Sequence, residues 1–210
     1  MKRTFLHQII VLLMFAAVTL IGPMAHADEE SPDELIKRLL TDVTETIKSD
    51  KALRTGNLNK ISALVDARIM PTVNFERMTA SVVGPLWRQA SAEQQRRLQE
   101  EFKTLLVNAY AGALAQLKDQ TIHIKPLKAL ADDKTVLVRA DVKGKGETIQ
   151  LDYRLEKIPG AGWKIYNLNI MGVWLVETYR SQFAQELNAK GVDGLIADLV
   201  ERNKSNAKKG

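Results

Sequence analysis

Apolar positions recur along this chain at two different periods, and the switch between them falls near Thr121. Ahead of the switch the spacing is helical. Ser31-Pro32-Asp33-Glu34 has the form of a capping box with proline at the first helical position. Leu35, Ile36, Leu39, Leu40, Val43 and Ile47 follow at intervals of three and four, which predicts a helix running to about Leu53. Gly56-Asn57 breaks it and caps a second helix with Leu58, Ile61, Leu64 and Val65, which Pro71 must end or kink. A shorter amphipathic piece carries Phe75, Met78, Val82 and Val83 and stops at Gly84-Pro85. A second capping box, Ser91 with Gln94, opens what is expected to be the longest helix. Its stripe of Leu98, Phe102, Leu105, Leu106, Ala109, Tyr110, Ala113, Leu114 and Leu117 is wide enough to require a large partner surface.

Beyond Thr121 the period is two. Ile122 and Ile124, then Val136, Val138, Ala140 and Val142, then Ile149, Leu151, Tyr153 and Leu155 each mark one face of a strand, and residues 163–171 form the last. Gly144-Lys145-Gly146 and Pro159-Gly160-Ala161-Gly162 supply turns. Gly172 ends the sheet, and a helix with Leu175, Val176, Tyr179, Phe183 and Leu187 follows, closed by Gly191. A short helix with Leu195, Ile196, Leu199 and Val200 comes next, and residues 203–210 read as a polar, frayed tail. The order predicts an α+β fold: a four-stranded antiparallel meander with one apolar face, covered by several α-helices.

The first 27 residues stand apart from this pattern. Lys2 and Arg3 precede an apolar run from Ile9 to Ile21, then Gly22-Pro23, then the small-x-small site Ala25-His26-Ala27, which together predict a cleaved secretory signal peptide and export to the periplasm. The run is shorter than the roughly 20 residues a membrane-spanning helix needs. Residues 28–210 are expected to form a single domain. Cleavage removes two bases and no acids, so the net charge of +5 becomes +3. With both signs interspersed, no clustered basic footprint for nucleic acid exists. The absence of cysteine excludes disulfides, thiolate metal sites and cysteine nucleophiles.

Candidate chemistry is sparse. His123, the only histidine outside the leader, alternates with Ile122 and Ile124 and so lies on the solvated strand face, without a G-x-S-x-G or H-E-x-x-H context. Asp141, Asp152 and Glu156 also alternate with apolar positions and point outward, and Asp132-Asp133 sits in a turn, so no carboxylate pair for acid–base work converges. Gly144-x-Gly146 leads into a strand rather than a helix and is no phosphate loop. The chain is therefore read as non-enzymatic, with no metal or cofactor. The apolar lining of the long helix, the sheet and the segments around Phe75 and Val173 is expected to converge on one interior. Periodicity leaves open whether that interior is filled or hollow.

Two segments carry more than periodicity. Residues 70–88, MPTVNFERMTASVVGPLWR, continued by QASAEQQRRLQEEFKTLLVNAYAGAL, and residues 151–183, LDYRLEKIPGAGWKIYNLNIMGVWLVETYRSQF, resemble the two halves of the periplasmic phospholipid-binding component of the Mla pathway, a family also called toluene-tolerance or Ttg2D-like. The resemblance covers nearly all of the exported chain. It implies a carrier that holds phospholipid as cargo with the acyl tails inside, working between an outer-membrane lipoprotein–porin complex and the MCE-domain ring of an inner-membrane ABC transporter, in support of outer-membrane lipid asymmetry. On that reading Val73, Phe75, Met78, Leu105, Val138, Leu151, Tyr153, Ile170 and Val173 line the tail cavity, and Arg88 and Arg180 lie near the headgroup. Two positions depart from the family pattern: Trp174 replaces a small residue and Asn167 a common aspartate. An envelope interaction protein with a filled core and a secreted α+β enzyme remain as alternatives.

Overall fold

The computed structural model describes residues 29–207, apart from 118, 119, 129, 131, 145 and 147. The signal-peptide reading of residues 1–27 lies outside the described residues, as do part of the turn at 144–146 and the tail from 208 onward. Helix α1 spans Pro32–Ser49 and starts with the expected box, the Ser31 hydroxyl accepting from the Glu34 N–H while the Glu34 carboxylate accepts from the Ser31 N–H. It ends earlier than its apolar spacing suggests. Asp50 leaves the helical conformation, and its carboxylate caps a separate turn, α2 (Lys51–Arg54), by accepting from the N–H groups of Ala52 and Leu53.

Helix α3 (Leu58–Leu64) widens into a π-helical turn at Val65–Ile69 and closes in a 3-10 turn at Met70–Thr72, where Pro71 sits. Helix α4 spans Phe75–Val83, and Gly84 stops it. Helix α5 (Ala92–Ala115) opens on the Ser91–Gln94 box and is the longest uninterrupted helix among the described residues.

The sheet has five strands rather than the four expected, in the order β1 (Thr121–Ile124), β2 (Thr135–Lys143), β3 (Ile149–Ile158), β4 (Gly162–Ile170) and β5 (Val173–Trp174), all antiparallel. The added strand comes from a tight reversal at Met171-Gly172. Gly172 adopts a φ of 89° that favours glycine, and its N–H donates to the Asn169 side chain at 2.8 Å, so Val173 turns back to pair with Ile170. Between Arg154 and Leu155 the β3–β4 register slips by one residue, leaving Tyr166 unmatched. That bulge bends the sheet and resets the alternation of β4, so Ile165 shares the inner face with Leu168 and Ile170.

Helix α6 (Leu175–Ala207) is interrupted at Gly191, whose φ of 65° and ψ of −162° fit no helix. Helix continues through Ala207, where a frayed tail was expected from 203. Asn203 is buried, and its amide donates to the carbonyl and carboxylate oxygens of Glu101 on α5, which fastens the last turns down.

One interior was expected; there are two. The first packs α1, α3, the Val107 and Ala111 side of α5 and Leu117 just past its end against the sheet. The second gathers α4, α6 and the Leu98, Phe102 and Leu105 side of α5 around an aromatic group, with Phe102 lying 5.7 Å from Phe75, 5.1 Å from Tyr179 and 5.7 Å from Phe183. Met70, Val73, Leu168 and Ile170 touch both.

Candidate functional site

At the seam between the two cores lies a cavity of about 250 Å³. Helix α5 forms one wall with Leu106, Val107, Tyr110, Ala113 and Leu114, which are linked by intervals of three and four and so share one helical face, and Leu117 just past its end extends that wall. Strands β3 and β4 form the facing wall with Ile149, Leu151, Tyr153, Ile165, Leu168 and Ile170. Leu39, Leu40 and Val43 of α1, Val65, Ile69 and Met70 of the π and 3-10 turns, and Phe75 and Met78 of α4 close the sides.

The wall is chemically quiet. Burial alone raises the Tyr153 phenol far above its ordinary range, so it stays neutral at any physiological pH. Burial also raises Tyr110, partly offset by its hydrogen bond with Tyr179, and burial together with Tyr110 pushes Tyr179 up to about 12. Among the described residues Lys103 is the one charged member of the wall, and its Nζ lies 2.7 Å from Oδ1 of Asp66. The arrangement can enclose an apolar molecule. Among the described residues the wall holds no titratable pair besides that of Lys103 with Asp66, and no group of three or more His, Asp or Glu side chains could hold a metal ion.

Of the nine wall positions expected from the sequence, Val73, Phe75, Met78, Leu151, Tyr153 and Ile170 stand on the cavity. Leu105, Val138 and Val173 do not. Leu105 points into the aromatic core, because it belongs to the other row of α5. Val138 pairs with Tyr153 across β2 and β3 but lies one strand further out, where α1 packs directly on the sheet and leaves it 1% exposed. Val173 is carried outward by the reversal at Gly172 and is 50% exposed. The α5 row was missed although all of its residues but Val107 were in the predicted stripe, whose excess width was the signal that the helix serves two interiors.

Arg88 and Arg180 lie together, but away from the cavity. They line a separate surface hollow with Arg77, Ser81 and Trp87, and Nε of Arg180 donates to the Ser81 carbonyl at 2.7 Å.

The two departures, Asn167 and Trp174, meet at the start of α6. Oδ1 of Asn167 accepts from the Val176 N–H at 3.2 Å, and its Nδ2 donates to Glu177 at 2.8 Å. Arg154 donates to the other Glu177 oxygen at 2.7 Å and lays its guanidinium 3.8 Å from the Trp174 ring centroid.

An α+β shell of helices over a bent antiparallel sheet, parted by an apolar chamber, defines the class: a cavity protein. The MlaC protein family model matches residues 37–201, and the chain belongs to that family. Its fold is similar to that of a phospholipid-binding protein from Ralstonia solanacearum whose structure was determined in complex with a phospholipid. The TM-score is 0.80 and the identity 48%, over 83% of this chain and 98% of that one. It is 29% identical over 173 residues to the toluene tolerance protein ttg2D of Pseudomonas putida, covering 81% of this chain and 80% of that protein. It is 27% identical over 176 residues to the intermembrane phospholipid transport system binding protein MlaC of Haemophilus influenzae, covering 82% of each.

Proposed function

We propose that this chain is a periplasmic phospholipid carrier that keeps acyl tails in the seam cavity while moving between an outer-membrane lipoprotein–porin complex and the MCE-domain ring of an inner-membrane ABC transporter. The cavity is the observation that carries the reading, and it is what a filled-core interaction protein would lack. Two acyl tails present about 30 methylene groups, and at about 0.8 kcal/mol each their exposure to water costs on the order of 20 kcal/mol. Free diffusion across an aqueous compartment is therefore negligible, whereas transfer from bilayer to apolar cavity changes the surroundings of the tails little. The carrier then needs no chemical step of its own, and direction is set by the membrane complexes.

A water takes about 30 Å³ in the liquid and a methylene group is of similar size, so a space of about 250 Å³ takes on the order of ten such groups. Both tails together exceed that, so holding them requires the walls to part. Lipid extraction and mass spectrometry of protein purified from the periplasm is the test. Phospholipid bound in near-stoichiometric amount is the expected result; protein that arrives without lipid and takes none from vesicles overturns the reading.

A further inference from the structure

The charge on the cavity wall has a specific place. Lys103 is a wall residue whose side chain is 28% exposed, and its ammonium is paired with Asp66, whose side chain is 49% exposed. The pair therefore stands where the wall meets water, as a long basic side chain does when its stem is buried and its head is not. Glu100, one helical turn earlier on α5, is taken by Arg96 and does not compete for Lys103. Asp66 belongs to the π-helical turn Val65–Ile69, and Val65 and Ile69 of that turn are themselves wall residues. The ion pair thus ties a wall segment of irregular winding to the long helix across the edge of the cavity.

We infer that Lys103 is the contact for the phosphate of the cargo headgroup, and that Asp66 is the partner it gives up when cargo arrives. The inference rests on the carrier reading above and deepens it. A phosphodiester whose tails lie in the cavity must keep its anion at the edge, and Lys103 is the one cation the wall offers there among the described residues. Phosphate oxygens replace the Asp66 carboxylate as charge-assisted acceptors, so Lys103 never stands unpaired. Release of Asp66 removes one tie between the π turn and α5, easing that side of the wall outward while the apolar packing of α3 on α5 remains. From Lys103 the α5 row runs eleven residues to Leu114, about 17 Å at 1.5 Å per residue, the course assigned to a tail.

Delipidated full-length protein is incubated with vesicles containing equal amounts of dioleoyl phosphatidylglycerol and dioleoylglycerol, which share their tails and differ in the phosphate headgroup. Loaded lipid is read by mass spectrometry. Wild type is expected to load phospholipid over diacylglycerol by about tenfold. Lys103→Met, which keeps an apolar stem, brings the ratio to about one; Lys103→Arg keeps the preference. Should Lys103→Met fail to fold, Asp66→Asn reads the same exchange from the other side by raising the ratio. A preference undiminished in Lys103→Met, or unchanged in Asp66→Asn, overturns the assignment of Lys103 and leaves the carrier reading in place. Failure of wild type to load either lipid overturns both. Inorganic phosphate in excess is expected to leave loading unchanged; competition by it would mark a free-anion site instead and also overturn the inference.

Discussion

Asn167 shows how much a single amide settles. Its oxygen caps the first turn of α6 while its nitrogen donates to Glu177, a pair of roles no carboxylate could fill, since an ionised aspartate has no donor. Burial tends to raise the Glu177 carboxyl, but the hydrogen bonds from Asn167 and Arg154 outweigh it and hold the group below its usual range. A depressed folded value means that the contribution of Glu177 to stability is fully present above the unfolded value, near 4.3, and is lost as pH falls through the folded one. Asn167→Asp is expected to cost about 1–2 kcal/mol in urea unfolding at neutral pH, because it loses a donor and sets two carboxylates together. The loss should shrink as acid protonates one of them, and Glu177→Gln should restore part of it by supplying the missing donor. Wall residues give a second contrast. Leu114→Lys, on the cavity, is expected to abolish copurified phospholipid in protein that retains its circular dichroism, whereas Val173→Lys, on the exposed edge, should leave loading unchanged.

At the scale of elements, two irregularities shape the molecule. The bulge opposite Arg154 and Leu155 lets β4 present Ile165, Leu168 and Ile170 to the same side. The sequence carries its trace in the three-residue step from Ile165 to Leu168 where strict alternation would place two. The break at Gly191 turns the last segment of α6 so that Leu195, Ile196 and Leu199 cover the aromatic core. A Cβ at Gly191 would meet no atom within 4 Å, so the cost of adding one is backbone strain rather than collision. Its φ and ψ lie in a region populated essentially by glycine, and Gly191→Ala is expected to cost about 1–3 kcal/mol by chemical denaturation with helix content little changed. Substitution of Gly112, within α5 and also without an atom within 4 Å, should by contrast be neutral or stabilising.

For the molecule as a whole, the division into two cores is what leaves space. Helix α5 is held on one side by the aromatic group and on the other by α3, and the cavity lies between it and the sheet at the seam. A molecule that binds only the folded chain and fills that space stabilises it by mass action, about 2.7 kcal/mol at a hundredfold excess over Kd. For a chain of this size that corresponds to a rise in Tm of about 5–10 °C, measurable by calorimetry on delipidated protein with and without phospholipid vesicles. An unchanged Tm in protein that mass spectrometry shows to be loaded would mean that the unfolded chain holds the lipid as well, against a site that the fold creates.

The chain's own spacing determined which segments are helices and which are strands, their order, the capping at Ser31 and Ser91, and the α+β class, because each depends on neighbours within a few residues. It also named most of the apolar faces that meet at the cavity. It did not reveal the stop at Asp50, the fifth strand or the helical end beyond Asn203, each of which turns on a side-chain hydrogen bond that competes with periodicity. Nor could it separate Leu105 from Leu106. The two are adjacent in one stripe, and only the positions of α4 and α6 on one flank and of the sheet on the other send the first into a packed core and the second to an open wall. Periodicity reports which side of an element is apolar; the distance to the next apolar surface is fixed by how the elements brace one another, and that distance separates a filled core from a chamber.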